Sequence, residues 1–134
     1  MKYLLDADTL IDYILNRGNA RPRITAMIEQ GDVVAVCAIT VAEVYSGLSD
    51  KRRGIWENWI TALSYWHINI DVGMRAGTYR KTASEAGRTI PVTDALLAAL
   101  AHENDATLLT SNIKDYPMKD VRILSLRNET ACYL

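Results

Sequence analysis

Lys2-Tyr-Leu-Leu-Asp-Ala-Asp-Thr-Leu-Ile-Asp12 is the stretch on which the reading of this chain turns. Lys2 to Leu5 is an apolar run of strand length, and it stops at an acid, Asp6. Apolar residues then return at helical spacing, which predicts a helix from Thr9 to Asn16, ended around Gly18. The same order of strand, polar mouth and helix recurs outward from there. Val33 to Cys37 is a β-branched run, with a helix expected from Thr40 to Leu48. Thr107 to Thr110 reads as a strand behind an Ala- and Leu-rich helix from Thr93 to Glu103. Between these lie a helix opened by Pro22 and stopped at Gly31, a charged turn Lys51-Arg-Arg-Gly54, and a helix carrying Trp56, Trp59, Ile60 and Leu63. A strand is expected from His67 to Ile70, then a helix from Val72 to Ala86 with Gly87 as its stop. Lys114 to Tyr116 reads as a short turn before Pro117, and Val121 to Leu126 as the last strand. Short strands alternating with helices imply an α/β fold, a parallel central sheet flanked by helices.

The bulk numbers agree with one domain over 1–134. The 134 residues are 49% hydrophobic and 23% charged, the profile of an ordinary globular protein. No apolar run approaches the ~20 residues of a membrane span, and the first acid arrives too early for a signal peptide. A cytoplasmic protein with no membrane partner is therefore expected. Cys37 and Cys132 have no metal-ligand spacing, and no disulfide is expected. The formal net charge of −1 excludes a protein that coats itself in nucleic acid by bulk electrostatics, but not a local basic rim. Lys51, Arg52, Arg53 and Lys114 are candidates for such a rim, as are Lys81 and Arg88 if they share a helix face. For each of these a plain solvated charge is the simpler reading.

Three acids stand where an apolar run stops and a helix can begin: Asp6, Glu43 in Thr40-Val-Ala-Glu43, and Asp94 in Pro91-Val-Thr-Asp94. The strand ending Leu108-Leu-Thr-Ser-Asn112 offers a fourth oxygen ligand in Asn112. In a parallel sheet these points gather beyond the carboxyl ends of the strands. Carboxylates ~4 Å apart repel by about 4 kcal/mol per pair at an effective dielectric of 20, so a trio either takes up protons or holds a cation. Oxygen-only ligands suit Mg²⁺ or Mn²⁺, not zinc, and such ions serve phosphodiester hydrolysis. Simpler roles exist for each. Thr40-x-x-Glu43 and Thr9-x-x-Asp12 both read as capping boxes, and Asp94 faces a helix dipole. Asp6 alone has no evident local structural task.

Four segments carry a resemblance. Tyr3 to Asp12, Ile39-Thr-Val-Ala-Glu-Val-Tyr-Ser-Gly47, Pro91-Val-Thr-Asp-Ala-Leu-Leu-Ala-Ala-Leu-Ala101 and Leu108-Leu-Thr-Ser-Asn-Ile-Lys-Asp-Tyr116 are similar, in order and spacing, to the motifs of PIN-domain ribonucleases, above all VapC-type toxins of toxin–antitoxin pairs. The resemblance implies a PIN-like fold and an endoribonuclease in which Asp6, Glu43 and Asp94 bind Mg²⁺ or Mn²⁺ and activate water. Asn112 would complete the catalytic set. Thr9 would orient Asp6 or bind phosphate, Asp8 and Thr110 would support the site, and Asp115 would either compensate for the charge that Asn112 lacks or hold the turn. Gly47 would leave space beside Glu43. The implied partners are RNA, a VapB-like antitoxin whose tail places an Arg among the carboxylates, and a second copy of the chain in a homodimer. The apolar faces around Leu10 to Ile14 and Trp56 to Leu63 could serve such contacts or the core.

Two rivals remain at the level of sequence. Leu4-Leu-Asp-Ala-Asp-Thr-Leu10 also resembles the nucleophile motif of haloacid-dehalogenase-type phosphatases, with Asp6 as nucleophile and Asp8 as acid/base. The late acid pair of that family is missing, and that reading gives Glu43 and Asp94 no task. The other rival is a non-catalytic RNA-binding module on the same fold.

Overall fold

The computed structural model describes residues 1–127. Strand β1 (Lys2–Leu5) lies at the centre of the sheet, in parallel pairing with β2 (Val33–Val36) on one side and β4 (Thr107–Leu109) on the other. Beyond β2 lies β3 (Ser64–Tyr65), and beyond β4 lies β5 (Arg122–Leu124), also parallel. The order is β3-β2-β1-β4-β5. Among the described residues six α-helices connect the strands: α1 (Ala7–Leu15), α2 (Ala20–Glu29), α3 (Ala38–Ser46), α4 (Asp50–Trp59), α5 (Ile70–Glu85) and α6 (Val92–Glu103). The expected α/β class with a parallel central sheet is what the chain forms. No helix among the described residues is long and apolar enough to cross a membrane.

Successive side chains of a strand point to opposite faces, and here both faces are covered. Leu4, Ala35 and Leu108 turn to one core with Val72 and Ala76 of α5 and the Ala/Leu face of α6. Leu5, Val34, Val36 and Leu109 turn to a second core with Leu10, Tyr13 and Ile14 of α1, Ile24 of α2 and Trp56 of α4. Burial on both faces explains why the strand sequences run apolar without alternation. It also explains where Leu10, Ile14 and Trp56 go: the core uses them.

The structure departs from the sequence reading at four places. Lys51 to Gly54 is not a turn but lies within α4, because Ser49 caps that helix by accepting from Arg52 N–H at 3.4 Å. Arg53 then lays its guanidinium 4.3 Å from the Tyr45 ring centroid. The third strand is Ser64–Tyr65 and not His67–Ile70, since Asn69 caps α5 by accepting from Val72 N–H at 3.0 Å. Arg88 lies beyond the end of α5, so it shares no helix face with Lys81. In the helices expected to start with capping boxes at Thr9 and Thr40, the caps lie three residues earlier, at Asp6 and Cys37. Cys37 is buried as a free thiol, and Cys132 lies outside the described residues.

From β1 the chain moves one way to β2 and β3, then returns past β1 to form β4 and β5. The crossovers separate there, beyond the carboxyl ends of β1 and β4, which is where open parallel sheets form their crevice. Asp6 follows β1, and Thr110 follows β4.

Candidate active site

Asp6 is held from three sides. Its Oδ1 accepts the Ala7 N–H at 2.7 Å, so Asp6 caps α1, a local role the sequence did not reveal. Its Oδ2 accepts the hydroxyls of Thr110 at 2.8 Å and Tyr116 at 2.9 Å. Its backbone N–H donates to Leu109 C=O at 3.0 Å, which ties the end of β1 to β4. Asp6 is only 8% exposed. Thr9 does not orient Asp6 as expected. Its buried hydroxyl donates instead to Leu109 C=O at 3.0 Å, anchoring α1 to the end of β4. Thr110 takes the orienting role, and its Oγ1 also accepts the Asn112 N–H at 3.1 Å.

Beside this lies a second network. Asp8 Oδ2 accepts from both the backbone N–H, at 2.8 Å, and the hydroxyl of Ser111. Arg127 grips Asp12 with two bonds, 2.7 and 3.0 Å, and donates to Ser111 Oγ at 3.2 Å. Asp12 is buried, so it is an ion-pair partner and not the second half of a capping box. Asp8, bound to the Ser111 backbone, is committed to shaping the loop after β4.

The other acids are less occupied. Glu43 is exposed on α3, and its carboxyl is raised above the ordinary 4.5 by partial burial and then by the charges of Asp6 and Asp94. Asp94, half-buried in the first turn of α6, is raised above 3.8 by burial and then by Asp6 and Asp115, with a hydrogen bond from Tyr116 opposing. Tyr116 is itself driven far above the ordinary phenol value by burial and by the charges of Asp6 and Asp94, so it is a proton donor throughout. Glu43 thus feels Asp6 and Asp94, and Asp94 feels Asp6 and Asp115, although these acids come from separate elements.

Asn112 is exposed ahead of a short 3-10 turn (Ile113–Asp115), and it is Asp115 whose charge reaches Asp94. Gly47 is not needed for space, since an added Cβ would meet only Val44 C=O, at 3.7 Å. The basic residues fall in several places: Arg88 donates to Lys114 C=O, and Arg53 donates to Tyr45 C=O at 3.3 Å. Sequence reasoning missed Tyr116 and Arg127. Neither position carries a local signal, because their partners lie 110 and 115 residues away.

Among the described residues no three His, Cys, Asp or Glu side chains are grouped closely enough to hold an ion as they stand. The donors nevertheless fit a hard divalent cation by kind: all are oxygens, and their charges are mutually uncompensated.

The profile of the PIN domain matches residues 3–122, and the chain belongs to that family. Within it, the chain is similar to Ribonuclease VapC19 of Mycobacterium tuberculosis, 24% identical over 115 residues that cover 86% of this chain and 92% of that protein. It is likewise 24% identical to Ribonuclease VapC2 of Haemophilus influenzae, over 96% of this chain and 97% of the relative. The fold superposes on VapBC2 from Rickettsia felis, solved bound to a DNA fragment from its promoter. That match has a TM-score of 0.82 and 20% identity, and covers 93% of this chain and 98% of the other.

Proposed function

We propose that this protein is a cytoplasmic, Mg²⁺- or Mn²⁺-dependent endoribonuclease, the toxin of a toxin–antitoxin pair. One observation carries the reading: Asp6 just past β1, Glu43 midway along α3 and Asp94 in the first turn of α6 lie within reach of one another's charge. Asp6, Asp94 and Glu43 would hold the cation, whose charge polarises the phosphodiester and acidifies a water. Asp6 is fixed by its donors, while Glu43, exposed on its helix, is free to swing inward and complete the set. Asn112 would complete the catalytic group from the loop after β4. Thr9, Asp8 and Thr110 act as supports by holding that loop, and Asp115 adds the charge that Asn112 lacks. Membership in the PIN family and likeness to VapC ribonucleases support an RNA substrate. Likeness to a solved VapBC pair supports a VapB-like antitoxin as partner, and a homodimer belongs to the same proposal.

The phosphatase rival loses its ground. The chain is a PIN domain, and the Asp8 carboxylate is occupied by Ser111 and not poised as an acid. The test is cleavage of RNA by purified protein with Mn²⁺ or Mg²⁺, matched by growth arrest on expression. Both should be lost with Asp6→Ala or Asp94→Ala. Persistence of cleavage in both variants overturns the mechanism. RNA binding by the wild type with no cation-dependent cleavage makes the chain a non-catalytic module instead.

A further inference from the structure

Tyr116 occupies an unusual place for a residue in the turn before a proline. Its ring is buried, 4% exposed, in the core shared with α5 and α6. Its hydroxyl emerges from that core into the acid cluster and donates to Asp6 Oδ2 at 2.9 Å. A carboxylate offers about four lone-pair sites. On Asp6, Thr110 and Tyr116 fill two on Oδ2, and the Ala7 N–H fills one on Oδ1. One site remains, on Oδ1.

We infer that Tyr116 is the positioning residue of the acid cluster. With Thr110 it holds the Asp6 carboxylate by Oδ2, which leaves Oδ1 as the oxygen with an open lone pair for a cation. The inference rests on the cation-dependent reading above. A phenylalanine ring would fill the same core volume but could not orient Oδ2. The ring is buried in the core, so the hydroxyl position is set by the fold and not by a flexible side chain.

Calorimetric titration of Mn²⁺ into the full chain tests this. Tyr116→Phe is expected to bind about ten-fold more weakly than wild type, with an unchanged far-UV spectrum. In the unmutated protein, the Tyr116 ring Cζ resonance is expected to shift saturably with Mg²⁺, with the midpoint found for cation binding. The resonance measurement stands even if Tyr116→Phe does not fold. Equal Mn²⁺ affinity in folded Tyr116→Phe, or a Tyr116 resonance indifferent to Mg²⁺ in a wild type that binds it, overturns the positioning role and leaves the cation reading intact. A wild type that binds neither ion overturns the cation reading and the inference with it.

Discussion

The two halves of the crevice are built differently. On the side of β1, Asp6 is engaged by Thr110, Tyr116 and Ala7, Asp8 by Ser111, and Asp12 by Arg127. On the side of α3 and α6, Glu43 and Asp94 have few donors, and their carboxyls are raised by burial and then by neighbouring charge. The first half is a frame that holds its shape without any ligand. The second half is left electrostatically unsettled and would be settled by a positive charge. Negative side chains therefore play two opposite parts within one site, and the number of hydrogen-bond donors around each decides which.

The sharpest way to break this comparison is to remove one acid from each half. Asp6→Ala and Asp94→Ala are each expected to cut RNA cleavage by about 10³-fold, roughly 4 kcal/mol of transition-state stabilisation. Their stabilities should part company. Asp6→Ala leaves two hydroxyls without their acceptor and should cost about 1–3 kcal/mol in urea unfolding. Asp94→Ala should cost nothing or stabilise. Equal destabilisation by the two would erase the distinction between the halves.

Arg127→Ala comes next. It leaves Asp12 buried without its partner and should lower stability by about 2–3 kcal/mol, with Arg127 being half-exposed keeping the loss at the low end for such pairs. A change below ~0.5 kcal/mol would mean that the ion pair contributes no more than an exposed one. Thr9→Val tests a single strut of the frame. Losing its bond to Leu109 C=O should cost about 1 kcal/mol, read by the same unfolding curves.

The smallest effects belong to the unsettled half, and their sign matters most. Glu43 and Asp94 bind their protons more tightly in the folded chain than at their ordinary values of 4.5 and 3.8. Protonating them therefore favours the folded state. Their unfavourable contribution is fully present at neutral pH and is relieved as pH falls through their raised values. Glu43→Gln should stabilise the cation-free protein at pH 7 by at most about 1 kcal/mol, and the advantage should vanish at acid pH. Cleavage should move the other way, falling over the same interval because protonated acids no longer attract a cation. A melting temperature for Glu43→Gln equal to that of the wild type at every pH would show that these charges do not meet.

Much of this could be read from sequence, because it rests on local rules. Apolar and β-branched runs located β1, β2 and β4, and Asp6 at the end of the first marked the site. What could not be read depends on partners distant in the chain. Ser64–Tyr65 is a strand only because Ala35 and Val36 lie alongside it, while the more apolar His67 to Ile70 passes into a helix that Asn69 caps. Lys51 to Gly54 read as a turn because of its charge and glycine, but Ser49 outweighed both. Tyr116 is an ordinary aromatic until the fold brings Asp6 to its hydroxyl. Thr9 and Thr40 were correctly placed near helix starts but given the wrong turn position. In each case the true cap is the residue that closes the preceding strand segment, Asp6 or Cys37.

One border of the sheet is β3, just two residues long and solvent-exposed. Unpaired backbone along a sheet margin is a template on which foreign strands can assemble, and proteins blunt it by keeping such margins short. Here the margin offers a single step of ladder before the chain leaves the plane. A newcomer has almost nothing to zip onto, which guards a five-stranded, wholly parallel sheet against growing into fibrous aggregates.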